Sequence, residues 1–298
     1  MPRRLLASLS AAVALATLVW ALAAVTDVSA VPPPAGDGAW RLDPLWDDGR
    51  AELCAYRVTW PRYGAERTGS ALLVLVKEPW APDLDVKADT PRDDGFEVLK
   101  LNHVRDVRTG VYEYHQMASV YLDRRRGGLV KLATTNAEAC GITTAQVVDG
   151  RLATQSYFDG QGSREAAYPG GLPEDGLPAL LREFVAGDAP REVEVFPSLL
   201  APRLPELAPA RWRLARREVA APGAPGVGGE GAEIAAVEIR LERGDDWRRY
   251  VFAGAAPHPL LDYAAADGTR YRVARCERLA YWERNRPGDE EWLPPDLR

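Results

Sequence analysis

Histidine is scarce in this chain: His103, His115 and His258 are the only three. A hydrolase built on an imidazole base would have to use one of them. Recognisable catalytic spacings are missing as well. The sequence holds no G-x-S-x-G, H-E-x-x-H or C-x-x-C, no Walker loop, and no Gly-rich dinucleotide loop after a strand. It implies no cofactor. EF-hand spacing is absent, so Asp85, Asp89, Asp93 and Asp94 read as solvating charges of a single loop. There is no basic stripe. The formal net charge is −6 with both signs interspersed, which argues against nucleic acid as a partner. No helical pattern is long enough to serve parallel crossovers, and there is no internal repeat.

Cysteine is limited to Cys54, Cys140 and Cys276. Three thiols allow one bridge and a leftover, and all three pairings are open. The competing reading is three buried thiols packed as small hydrophobes. If the first and last long strands are neighbours, Cys54 and Cys276 are the expected pair. Cys140, beside Gly141 and without a local histidine, reads as a buried residue at a bulge.

What the chain does have begins with Arg3 and Arg4, followed by an apolar run from Leu5 to Val25 and a small-residue site at Val28-Ser29-Ala30. Residues 1–30 therefore read as a signal peptide or an N-terminal membrane anchor, since about 20 apolar residues can span a bilayer. Either places the folded part outside the cytoplasm, in the periplasm or cell envelope of a bacterium. Residues 31–46 are Pro-rich and read as a flexible lead-in.

Residues 47–298 read as one large β domain: a first meander over 47–168, a helical connection over 170–190 and a second meander over 191–298. In the first strand Cys54, Tyr56, Val58 and Trp60 share one face and Arg57 and Thr59 the other, the period-two signature of a half-buried strand. Arg62-Tyr63-Gly64, Thr109-Gly110 and Asp149-Gly150 supply hairpin turns. Leu177, Leu180, Leu181, Phe184 and Val185 recur at helical spacing, which predicts an amphipathic helix covering the sheet or plugging one end of a barrel. Ala220–Gly231 reads as a flexible loop. The predicted fold is mainly β: an antiparallel meander curved into a half-barrel or open barrel, with one helix.

The order of Arg62-Tyr63-Gly64 with Arg67, Val98-Leu99-Lys100-Leu101-Asn102, Thr109-Gly110-Val111-Tyr112-Glu113-Tyr114, Glu138-Ala139-Cys140-Gly141 and Ser156-Tyr157-Phe158-Asp159-Gly160 resembles a family of uncharacterised exported bacterial β-proteins of unknown function. Members sometimes carry the label "septum formation inhibitor Maf", although Maf proteins proper are cytosolic α/β pyrophosphatases, unlike a β-meander behind an export signal. The resemblance spans roughly Asp47 to Gly162. Where the family pattern has Trp and His flanking Cys-Gly, this chain has Ala139 and Ile142. The C-terminal half, with Pro257-His258-Pro259 and Asp267-Gly268-Thr269-Arg270-Tyr271, resembles exported β families whose curved sheet is similar to that of periplasmic lipoprotein carriers.

Three functional expectations follow. The first is a non-catalytic module that binds a lipid or other apolar ligand in the concave sheet, with Arg62, Tyr63, Lys100, Asn102, Tyr112, Tyr114, Glu138, Cys140 and Tyr157 as candidate binding residues. The second is a structural or assembly role through a sheet edge. The third is an envelope hydrolase with Arg62, Lys100, Glu138 and Cys140 around one cleft. His103, His115 and Glu113 on adjacent strands offer only a faint metal-ligand pattern, and no metal is expected.

Overall fold

The computed structural model describes residues 38–298, so the segment read as a signal peptide or anchor lies outside the described residues. The first half of the chain forms β1 (Ala51–Arg62), β2 (Ala65–Ala81), β3 (Val86–Lys87), β4 (Phe96–Thr109), β5 (Tyr112–Asp123), β6 (Leu129–Glu138), β7 (Gly141–Val148), β8 (Arg151–Gln155) and β9 (Ser163–Ala167). The second half forms β10 (Leu172–Pro173), β11 (Glu192–Phe196), β12 (Ala210–Pro222), β13 (Glu233–Arg243), β14 (Asp246–Ala253), β15 (Leu260–Ala265) and β16 (Arg270–Leu279). All sixteen belong to one sheet, antiparallel except for the β10–β11 pair.

The two meanders fuse where β16 pairs with β1, so the first and last long strands are neighbours. The sheet then runs from β10 at one edge to β9 at the other. Laid flat, its strand path would be about 70 Å wide at ~4.8 Å per strand. Yet Ala167 and Leu172, at opposite edges, are five peptide steps apart in the chain. At ~3.6 Å per step they stay within roughly 18 Å, so the sheet must curl round on itself. The result is a strongly curved open barrel.

Turn chemistry sets the register. Tyr63 (φ 55°) and Gly64 (φ 71°) both occupy the left-handed region, as do Asp149 (φ 49°) and Gly150 (φ 67°). That is the backbone of the two-residue type I′ hairpin, whose twist matches the flanking strands. Period two then sends Cys54, Tyr56, Val58 and Trp60 inward, facing Leu99, Leu101 and Val120 in the main core.

One end of the barrel is plugged. Instead of one amphipathic helix, residues 174–184 form a 3₁₀ turn (Glu174–Gly176), a single α-turn and a second 3₁₀ turn (Leu181–Phe184). The apolar residues Leu177, Leu180, Leu181 and Phe184 are buried, but so are Arg182 and Glu183. The reason is that the segment sits inside the curl, with protein on every side. Its charges need internal partners: Arg182 takes Glu52 of β1 at 2.6 Å, and Glu183 takes Arg41.

Arg41 corrects the reading of a flexible lead-in over 38–46; the rest of that segment, 31–37, lies outside the described residues. Residues 38–46 are packed: Ala39–Leu42 is a helical turn, Asp43 caps the following 3₁₀ turn by accepting from Leu45 N at 2.8 Å, and Trp40 and Trp46 are buried. Arg41 Nη1 also donates to the Arg124 carbonyl at 2.6 Å, which ties the segment to the β5–β6 turn. Ala220–Gly231 is likewise not loose. It folds back on β16, where Cys276 N donates to the Pro225 carbonyl at 2.9 Å. Gly226 (φ +84°) has no room for a side chain, since a Cβ there would lie 1.9 Å from the Cys276 carbonyl oxygen.

The outer face of the second meander carries ion pairs beside a small apolar cluster, Ala236, Val251, Ala253 and Leu261, with Val227 of the 220–231 segment against it. Arg217 pairs with Glu238 at 2.8 Å, and Arg249 with Asp262. Over β1 and β2, Leu53, Val74 and Val76 point outward and are covered by Tyr281 and Trp292 of the C-terminal segment.

Candidate binding site

In an up-and-down meander every second turn lies at the same end. The β1–β2, β4–β5 and β6–β7 turns and the loop after β8 therefore share the rim opposite the plug. That topology gathers most of the candidate residues. Tyr63 Oη lies 2.6 Å from Tyr114 Oη, and Tyr112 Oη donates to Tyr63 Oη at 3.1 Å. Arg62 Nη2 donates to Tyr114 Oη at 3.1 Å, and its guanidinium lies over the rings of Trp60, Tyr63 and Tyr114. Tyr157 donates to Glu138. Hydrogen bonds from Tyr112 and Tyr114 hold the Tyr63 phenol below its ordinary range, with Arg62 adding to the effect. Burial first, then the Glu138 carboxylate, pushes Tyr114 the other way.

Cys140 stands on this rim as an exposed free thiol, not the buried residue that its sequence suggests. Its neighbour Gly141 is only half-buried, beneath the Tyr157 ring, where a Cβ would come within 2.6 Å of the ring.

Lys100 and Asn102 do not join them. On β4 the odd positions Leu99, Leu101 and Arg105 are buried inward, so Lys100 and Asn102 face outward. Lys100 pairs there with Glu78 at 2.6 Å, and Asn102 accepts from Ser119 Oγ at 2.8 Å. The four residues of the hydrolase expectation thus lie on both faces of the sheet.

The same alternation separates the histidines. His103 points inward, edge-on to Tyr271 at 5.5 Å, while His115 is exposed outside against Asp106 at 2.5 Å. Burial, then Arg105, lowers the His103 pKa to about 3, so the ring is neutral. His258 is buried near the plugged end, and burial lowers its pKa as well. Among the described residues, Glu52, Cys54 and Cys276 form the one close group of typical metal-ligand side chains. Their sulfurs are joined as a disulfide, so they offer no thiolate.

Behind the rim lies a cavity of about 830 Å³. The first meander contributes Trp60, Arg62, His103 and Arg105 to its wall; the second contributes Trp212, Tyr250, Tyr263 and Tyr271. A strap, residues 197–209, crosses it. Because the strap lacks regular structure, its buried carbonyls need side-chain donors. Asn136 Nδ2 reaches the Leu199 carbonyl at 3.2 Å and Thr143 Oγ1 the Pro202 carbonyl at 2.7 Å. Asp175 accepts from Ser198 Oγ at 2.5 Å and Leu199 N at 2.8 Å, while burial raises its pKa to about 6. Exposed Arg203, Pro205 and Glu206 mark the opening.

Arg105 is the wall residue that the sequence reading passes over. It is 8% exposed, donates to Gln116 Oε1 at 2.7 Å and Tyr271 Oη at 3.1 Å, and lies 4.6 Å from the Trp60 ring. The available signal was parity, because a guanidinium in phase with Leu99 and Leu101 must point into the core. Tyr250, Tyr263 and Tyr271 carry no comparable mark, since a wall aromatic and a core aromatic alternate alike.

No family model matches the chain, and no curated protein does. Among solved structures it is similar to the crystal structure of a beta-barrel-like protein of domain of unknown function DUF1849 from Brucella abortus, at 10% identity over 78% of this chain and 98% of that one, with a TM-score of 0.44.

Proposed function

We propose that this protein is a binding module that holds a lipid or other apolar ligand inside its curved sheet. The observation that carries this reading is the aromatic-walled cavity of about 830 Å³, plugged below and fringed by phenols above. Its volume falls in the range of small-molecule sites, about 300–1,000 Å³. Export to a bacterial envelope and membership of the exported β family are part of the same proposal, motivated by the N-terminal segment and the Asp47–Gly162 motifs. The outward ion pairs of the second meander support a water-exposed barrel, and the outward apolar clusters are covered by the 220–231 and C-terminal segments and form no lipid-facing belt.

The test is to purify the protein from a bacterial envelope and compare native and organic-extracted masses. A fluorescence titration with the neutral probe N-phenyl-1-naphthylamine accompanies it. One bound amphiphile per chain, or saturable probe binding, is expected. An empty protein that leaves the probe dark would end this reading.

A second reading has its own observation. β9 is exposed along its whole length at the sheet edge, as a strand-pairing partner in an assembly would require. Crosslinking from Arg164 in envelope extracts separates the two.

A further inference from the structure

We infer that the cavity selects an anionic amphiphile, its carboxylate or phosphate headgroup held by Arg62 and Arg105 beside Trp60. The inference rests on the binding-module reading and names the ligand class.

Both guanidiniums lie over the same indole ring, at 5.3 Å and 4.6 Å. Stacking fixes their planes while leaving edge donors free. Among the described residues, neither has a carboxylate partner. Arg62 donates to a phenol; Arg105 donates to an amide oxygen and a phenol. Arg62 Nε is buried with no acceptor, and so is Nε2 of His103 on the same wall. The contrast with Arg248 is instructive. It lines the same cavity and is neutralised by Glu174 at 2.8 Å and by Asp246. Asp175 feels the Arg105 charge but makes no ion pair with it; its oxygens accept from Ser198 Oγ and Leu199 N. Neutral His103 adds no charge and leaves an uncommitted ring nitrogen.

Arg105 is held out of water with no anion against it, which is unfavourable, and half-buried Arg62 stands beside it at the mouth; a ligand anion engages both through charge-assisted hydrogen bonds. Trp212, Tyr250, Tyr263 and the strap prolines supply the apolar part of the wall, against which the body of such a ligand packs, while Glu174, Asp246, Arg243 and Arg248 make the rest of it polar. Arg62 at the rim and Arg105 deeper on β4 place the headgroup near the mouth.

The experiment measures displacement of N-phenyl-1-naphthylamine by three ligands of equal chain length: dodecanoate, dodecyl phosphate and dodecanol. At least one of the two anions is expected to displace the probe about tenfold more tightly than dodecanol, and which one does identifies the headgroup. Arg62→Gln and Arg105→Gln should each remove most of that preference, read as the ratio of anion to dodecanol affinity in the same variant, while Arg62→Lys keeps part of it. If Arg105→Gln fails to fold, the Arg62 pair carries the test. Equal displacement by all three ligands overturns the anion site and leaves the binding module standing. Failure of all three to displace a bound probe, or no probe binding at all, overturns the module itself.

Discussion

Cys54 lies directly opposite Cys276 in the β1–β16 pair, and the disulfide between them spans 222 positions of sequence. It stitches together the first and last long strands, where the two meanders become one sheet. Closing so long a loop in the unfolded chain removes much of its entropy. Replacing both with serine should lower stability by roughly 2–5 kcal/mol, read from urea unfolding, and reductant should then have no further effect. Cys140→Ser is the control and should leave the midpoint unchanged. In the folded native protein, Ellman's reagent should find one thiol, Cys140.

Arg182 and Glu52 pin the plug to β1, with side chains 2% and 4% exposed. Arg182→Met would strand a buried carboxylate and should cost about 3–5 kcal/mol. By contrast, Arg57 and Asp296 pair at the surface, about half exposed, and Asp296→Ala should cost below ~1 kcal/mol. Denaturant midpoints of the two variants give the comparison. Equal losses would mean that the plug is not anchored by the ion pair.

Asp175 makes stability pH-dependent. Burial raises its carboxyl from 3.8 to about 6, against the opposing hydrogen bonds from Ser198 and Leu199, with Glu174 raising it and Arg105 lowering it. The folded chain therefore holds this proton more tightly than the unfolded one. The resulting stabilisation is complete below about pH 4 and is lost as pH rises through about 6, on the order of 3 kcal/mol in all. Asp175→Asn should flatten that part of the profile. Parallel urea midpoints of the two proteins from pH 4 to 7 would show the prediction wrong.

Gly141 makes room for Tyr157. Gly141→Val should push the ring off the β6–β7 turn, break its bond to Glu138 and cost about 1–3 kcal/mol. Gly64→Ala has open space around it but a left-handed backbone (φ 71°), so its loss should come from the turn alone. Tyr157→Ala combined with Gly141→Val separates the cases: the steric part of the Gly141 loss should vanish in the double variant.

Much of the candidate site was legible because turn residues and period two are local. Arg62, Tyr63, Tyr112, Tyr114, Glu138 and Tyr157 all sit at or beside turns, and a meander brings alternate turns to one end. Lys100 and Asn102 sit mid-strand in the same motifs, and parity alone sends them outward. Arg105 could have been found by that same parity. The strap and the second-meander tyrosines could not, because their role depends on what lies across the cavity.

By itself the sequence determined the strands, their hairpins and the curved antiparallel class, since alternation and glycine-bearing turns act between near neighbours. Only the tertiary structure decided that 38–46 packs into the curl, and that 174–184 plugs it as 3₁₀ turns around one α-turn with its charges buried, not as one amphipathic helix. Two buried tryptophans hold the first segment and two buried ion pairs pin both. Only it, too, set two guanidiniums from different strands over one indole without an acid between them, because charge balance in an interior is settled by contacts that no local pattern encodes.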